Sequence, residues 1–188
     1  TAAGVAPEML VMLADAAIEK GQDPSFFRDL YLEQIVDMEK QLREMTGNPN
    51  ARIPVEEKGA QALYVPLARA HTIIPPAVIF NAAQESWTLS LFEAANYGVF
   101  LADTERAKTI ARRIVDEAKR LEVQDIIISE CGHAYTTYRW EAPNWFGPEY
   151  NFRVRSIVEV IAEYIAQGRI QVDPTANARP LTYHDSCN

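Results

Sequence analysis

Three consecutive isoleucines, Ile126, Ile127 and Ile128, follow a long amphipathic stripe by only a few residues. A strand points successive side chains to opposite faces, so an unbroken β-branched run must be covered on both. That requirement calls for a sheet with helices on each side, and the rest of the chain supplies them. Residues 104–121 place Ala107, Ile110, Ala111, Ile114, Val115, Ala118 and Leu121 at helical spacing. The isoleucines mark a strand over 125–130. Shorter apolar runs at 62–67 and 87–91 predict two more strands, with Pro66 at the end or edge of the first. A last short strand is expected at 181–184. Pro75 and Pro76 suit the first turn of a helix that runs to about Ser86. Residues 92–102 center on a turn at Asn96, Tyr97 and Gly98. Residues 134–152 read as a short helix and loop whose aromatics (Tyr135, Tyr138, Trp140, Trp145, Phe146) pack as a cap. Residues 153–167 read as a helix with Val154, Ile157, Val158, Ile161 and Ile165 inward and Gly168 as its stop. Strands alternating with helices define an α/β chain with a mostly parallel sheet flanked by helices.

A pair of helices precedes this unit. Residues 7–20 place Leu10, Leu13, Ala14, Ala17 and Ile18 on one face. The second helix is expected to be capped by Asp23 or Ser25, to use Phe27, Leu30, Tyr31, Met38, Leu42 and Met45 as apolar positions, and to end at Gly47-Asn48-Pro49. The polar stretch 50–61 separates an N-terminal helical segment, residues 1–50, from an α/β segment, residues 55–188. With 188 residues, 48% hydrophobic and 23% charged, the chain can bury a sizeable core and is not disordered. Its 18 Lys and Arg against 26 Asp and Glu leave a net charge of −8, which disfavors a nucleic-acid partner. No apolar run reaches the ~18–20 residues of a membrane span. No basic segment with an apolar stretch opens the chain, so no signal peptide is expected. A soluble, cytoplasmic setting is the expectation, and both ends read as cut.

Two places combine sulfur with imidazole. One is Ser129-Glu130-Cys131-Gly132-His133, just after the isoleucine strand; the other is His184-Asp185-Ser186-Cys187, just after the last expected strand. In open α/β sheets, sites gather beyond the carboxyl ends of the strands, and parallel strands could bring these two ends together. Thiolates are the soft ligands that iron–sulfur clusters and zinc prefer, and imidazole is a borderline one. Three readings stay open on the residues alone. Cys131 and Cys187 can be thiolate ligands of a redox cluster. Cys131, His133, His184 and Cys187 can form a Cys₂His₂ zinc set, although their spacing is unlike that of common zinc fingers. Or Cys131 is inert core and the N-terminal helices form a metal-free subunit-docking module. His71, before the paired prolines, is assigned no role.

The blocks Glu130-Cys131-Gly132-His133-Ala134 and His184-Asp185-Ser186-Cys187-Asn188, with the stretch AAQESWTLSLFEAANYG, resemble the cysteine-rich (CCG) domain of heterodisulfide-reductase-like iron–sulfur proteins. Within that family they look most like the DsrK-type subunit of the sulfite-reduction-associated membrane complex. The resemblance covers roughly residues 55–188. In this resemblance an earlier cysteine position of the family is replaced by Ala95-Asn96-Tyr97-Gly98, which offers no sulfur. The resemblance implies that residues 1–50 end a ferredoxin-like region and that 55–188 are the first half of a CCG domain, truncated at its C-terminus. It implies a [4Fe–4S] cluster in the full-length protein, with Cys131 and Cys187 as ligands, and, since later cysteines are absent, no cluster as the alternative for this fragment. His133 and His184 would act as hydrogen-bonding or acid/base groups. It further implies electron transfer between a membrane cytochrome b-type subunit, other electron-transfer subunits and a disulfide or thiol substrate of sulfur metabolism. The location implied is cytoplasmic and peripheral to the inner face of the membrane.

Overall fold

The computed structural model describes residues 6–67, 70–129, 131–177, 179–180 and 182. Four strands, β1 (Ala62–Val65), β2 (Trp87–Leu89), β3 (Asp125–Ile128) and β4 (Arg153–Ser156), form one sheet in the order β2-β1-β3-β4. All pairings are parallel, with Ala62 opposite Trp87 and Asp125, and Asp125 opposite Arg153. The α/β reading holds. β1 and β3 are buried at every residue. Their side chains alternate between two cores: Ala62, Tyr64 and Ile127 face one, and Leu63, Val65, Ile126 and Ile128 face the other.

Strand order decides which helices cover which face. From β1 the chain steps to β2, then returns past β1 to reach β3. Right-handed crossovers in opposite directions put their helices on opposite faces. Accordingly α3 (Ala70–Ala82) contributes Ile73, Ala77 and Phe80 to the first core. The helix between β2 and β3, α5 (Thr104–Leu121), contributes Ala111, Ile114, Val115 and Ala118 to the second. The β3–β4 connection stays on the α5 face through α6 (Gly132–Thr136), a π-helical turn (Thr137–Glu141) and α7 (Ala142–Phe146). After β4, α8 (Ile157–Ala166) returns to the α3 face. A short helix, α4 (Tyr97–Phe100), lies between β2 and α5.

The N-terminal helices α1 (Glu8–Lys20) and α2 (Arg28–Thr46) are present, and they pack in different places. α1 lies on α4 and α5, whereas α2 lies on α3 and adds Tyr31, Ile35, Met38 and Leu42 to the first core. The loop between them crosses the carboxyl end of β2: Gln22 Nε2 donates to Leu91 O at 2.6 Å, and Glu93 N to Gly21 O at 3.0 Å. Gly21 turns with φ 76°, and Phe92 lies where its Cβ would stand.

Several expected boundaries shift. α2 starts at Arg28 after Phe27, not at a cap of Asp23 or Ser25, and Phe27, Leu30 and Met45 are exposed. Asp23 instead closes a local turn by accepting Ser25 N at 2.7 Å. α3 starts well before Pro75, so both prolines are internal. Proline there leaves earlier carbonyls without their helical donor; Tyr64 Oη, from β1, donates to one of them, Thr72 O, at 2.5 Å. Residues 153–156 are strand rather than the first turn of a helix. Ser156 caps α8, and Glu159 completes a capping box; Val158 and Ile165 are largely exposed. The 50–61 stretch is irregular but not wholly polar in placement. Ala51 and Ile53 are buried, and Val55 bridges to Leu89 along the outer edge of β2. The aromatic cap forms around buried Tyr138 and Phe146, with Trp140 left exposed. The strand expected at 181–184 lies, Thr182 aside, outside the described residues.

At the amino end of β3, buried Asp125 accepts from Arg153 Nη2 at 2.6 Å and Arg155 Nη2 at 2.7 Å, and Arg155 also pairs with Glu163. Asp125→Ala leaves the buried Arg155 guanidinium with Glu163 as its one remaining ion-pair partner among the described residues. It is expected to lower the unfolding free energy by about 3–5 kcal/mol in urea titration, whereas Arg153→Ala, at an exposed side chain, should cost about 1 kcal/mol or less.

Candidate functional site

Beyond the carboxyl end of β1, the strand at which the connections change direction, three segments converge. Ser129 N, following β3, donates to Val65 O at 3.2 Å; Ala94 N, following β2, donates to Pro66 O at 2.7 Å. The loop before α2 reaches the same place through Glu93 N. A crevice at such a reversal is where open α/β sheets hold ligands.

Cys131 stands here. Its extended backbone (φ −86°, ψ 104°) serves as the N-cap of α6, and its side chain is partly buried against the second core. Tyr97 and Tyr138 are near enough for the charge of a Cys131 thiolate to act on both phenols. His133, two residues on, turns elsewhere. Its ring meets Phe100 at 4.5 Å between centroids. It also lines a cavity of about 350 Å³ with Asp103, Thr137, Glu141 and Trp145, between the start of α5 and the π-helical turn. His184 and Cys187 lie outside the described residues, as does Glu130. His71 sits on the exposed side of α3.

Three buried polar side chains, Glu93, Glu117 and Ser129, and the half-buried Tyr97 lie at this end of the sheet. Glu93 is 7% exposed, and its Oε1 has no hydrogen-bond partner among the described residues. Burial pushes its carboxyl up to about 7 from an ordinary value of 4.5; the charge of Asp23 adds to the rise, and a hydrogen bond with Tyr97 opposes it. The Tyr97 phenol is held above its usual range, first by burial and then by Glu93. Glu117, on α5, accepts from Ser90 Oγ at 2.5 Å, and burial pushes its carboxyl up to about 7 as well. Ser129 is 3% exposed, and its Oγ has no hydrogen-bond partner among the described residues.

Sequence reasoning singled out Cys131 and His133 at this end of the sheet but not Glu93, Tyr97 or Glu117. Glu93 carried a usable signal: it is the lone charge in an otherwise uncharged stretch from Trp87 to Leu101. Glu117 reads as part of the polar face of α5 and gave none.

A cluster takes about four thiolates. Among the described residues Cys131 is the one cysteine, and no three His, Cys, Asp or Glu side chains are placed to hold a metal ion. The described residues therefore supply one sulfur ligand and not a complete set. Among them no helix is long and apolar enough to cross a membrane.

Comparison with known proteins places the chain at a distance from two archaeal ones. It is 26% identical, over 194 residues, to the Hdr-like menaquinol oxidoreductase iron-sulfur subunit 2 of Archaeoglobus fulgidus, an alignment taking in 79% of this chain and 35% of that protein. It is 24% identical, over 195 residues, to the Hdr-like menaquinol oxidoreductase iron-sulfur subunit of Archaeoglobus profundus, taking in 79% of this chain and 34% of that protein. The chain is thus a distant relative of Hdr-like subunits and spans about a third of the length of the relatives it matches. No family model matches it, and no solved structure does.

The two raised carboxyls fix the sign of a pH effect. Their folded-state values lie above 4.5, so the folded protein gains most below that pH and loses stability as pH rises through about 7. The loss is of order 3 kcal/mol per group at most. Glu117→Gln keeps an acceptor for Ser90 and is expected to flatten this decline in urea titrations between pH 5 and 8. A slope unchanged from wild type would mean that Glu117 titrates normally.

Proposed function

We propose that this chain is part of an iron–sulfur oxidoreductase subunit of heterodisulfide-reductase type. One observation carries the reading: Cys131 lies at the point where the strand order reverses, in a chain 79% of which aligns with two proteins named as iron–sulfur subunits of Hdr-like menaquinol oxidoreductases. On this reading residues 1–50 end an N-terminal helical region, and 55–188 form the first half of a CCG domain. The cluster, of [4Fe–4S] type, belongs to the longer protein. Cys131 and Cys187 are this chain's candidate ligands, and the remaining thiolates come from outside it. The cluster would supply single-electron transfer to or from a bound sulfur. Cys131 would hold one corner of it, and His133 and His184 would offer hydrogen bonds or protons nearby. The substrate is a disulfide or thiol. The partners are a membrane cytochrome b-type subunit, which exchanges electrons with menaquinol, and further electron-transfer subunits. Through them the protein is held at the cytoplasmic face of the membrane.

The test is iron and acid-labile sulfide in the full-length protein, purified without oxygen. Cys131→Ala is expected to lose up to one cluster's complement, roughly four iron atoms, together with disulfide-dependent turnover. Full iron and full turnover in that variant would remove Cys131 from the site.

A further inference from the structure

We propose that a groove along α5, between the end of α1 and the loop after β2, binds a small oxyanion, a carboxylate or a phosphate, on the Arg113 guanidinium with the Glu117 carboxyl as a second donor. The groove has a volume of about 390 Å³, and its lining includes Ile18, Phe92, Arg113, Glu117 and Arg120. Arg113 is fixed within it. Its guanidinium lies over the Phe92 ring, 5.3 Å from the centroid, and donates to Ile18 O. Its Cδ stands 2.8 Å from where a Cβ on Gly21 would lie, so the turn after α1 closes down on its stem. A guanidinium carries five N–H donors in a planar fork, more than one carbonyl can use. The neighboring arginines of the groove are matched by carboxylates, Arg112 by Glu149 at 3.2 Å and Arg120 by Glu56 at 2.5 Å. Arg113, half-buried, is the one of the three without a carboxylate partner among the described residues, in a chain that has 26 acidic residues against 18 basic ones.

Glu117 stands one helical turn from Arg113 on the same helix. It is 3% exposed. One oxygen, Oε2, accepts from Ser90 Oγ at 2.5 Å. The other, Oε1, has no hydrogen-bond partner among the described residues, and Arg120 Nη2 lies 3.9 Å from it, beyond hydrogen-bond reach. Buried polar atoms in native folds are nearly always satisfied, so an orphan in the lining of a groove calls for a hydrogen-bonding occupant. Water would satisfy Oε1 but leave the Arg113 charge unmatched; an oxyanion serves both. A guanidinium fork holds carboxylate or phosphate oxygens through two parallel bonds, and a protonated Glu117 donates to the same anion. Burial keeps that proton on the carboxyl up to about pH 7, so the neutral group does not repel an anion. The groups acting on Glu117 are the Ser90 hydroxyl and Leu91 backbone after β2, Glu56 before β1, Arg120 on α5 and Tyr138 in the π-helical turn. Asp116, exposed, is the other carboxylate of the lining and opposes the anion.

The experiment is isothermal titration calorimetry on the full-length protein, with succinate and separately with inorganic phosphate, at an ionic strength held constant with sodium chloride. Saturable binding of either anion is expected, and the tighter of the two identifies the occupant. Arg113→Gln should weaken it about ten-fold or more. Arg113→Lys keeps the charge and most of the stem but loses the fork, and should weaken it as well. Glu117→Ala should weaken binding, whereas Glu117→Gln still offers a donor from its amide. Succinate affinity of the wild type should fall as pH rises through about 7, where Glu117 gives up its proton, and should stay level in Glu117→Gln. Asp116→Asn, at an exposed position, should tighten binding, and it decides if the Arg113 variants do not fold. No saturable binding of either anion overturns the proposal. So does wild-type affinity in the folded Arg113 variants or in Glu117→Ala, or an affinity unmoved by Asp116→Asn.

Discussion

β1 is four residues long and wholly buried, and its place between β2 and β3 organizes the rest of the molecule. The chain leaves β1 on one side, returns past it and continues on the other. Right-handed crossovers then force α3 and α5 onto opposite faces. The two cores follow from that, as does the gap above β1, where connections diverge and leave its carboxyl end to be covered by residues from several segments. Val65 O and Pro66 O are taken by Ser129 and Ala94, one from each side. Cys131, Glu93 and Tyr97 share a neighborhood because they flank the same strand end, although up to 38 residues of chain separate Glu93 from Cys131.

The two ends of the sheet treat buried polarity differently. At the amino end of β3, Asp125 meets two guanidinium groups, and Arg155 continues to Glu163. Charge is matched there, which is what a structural network requires. At the carboxyl end the matching is incomplete. Among the described residues, Glu93 Oε1, Glu117 Oε1, Ser129 Oγ and the Tyr138 hydroxyl have no hydrogen-bond partner, and both carboxyls are pushed toward the neutral form. Polar groups buried without full partners cost free energy, and proteins concentrate such exceptions where they act on something else.

Much of the fold was legible because local patterns and tertiary need coincided. The α5 stripe gave its helix at the observed boundaries, since Asp103 accepts from Arg106 N to start it and Glu122 turns left-handed to stop it. The triple isoleucine gave β3 because only a two-sided sheet buries it. Failures came where a neighbor supplied what local rules said was missing. Pro75 and Pro76 were read as a helix start, yet Tyr64 from β1 serves a carbonyl within that helix. Residues 153–156 were read as the start of a helix, but pairing with β3 and the ion pairs to Asp125 make a strand of that segment. The Ser156–Glu159 capping box was present in the sequence and marked the true helix start.

By itself the sequence determined the parallel α/β class, the order of the main elements and the sulfur–imidazole block after β3, because periodicity and β-branched runs report local burial directly. Which residues surround that block was decided only in three dimensions. Glu93 and Tyr97 come from a segment that reads as a turn, and Asp23 comes from a loop before the sheet begins. No spacing in the chain relates them to Cys131. Their meeting depends on the direction of each crossover and on the α1–α2 loop lying across the end of β2, contacts between elements distant in sequence that a local pattern does not encode.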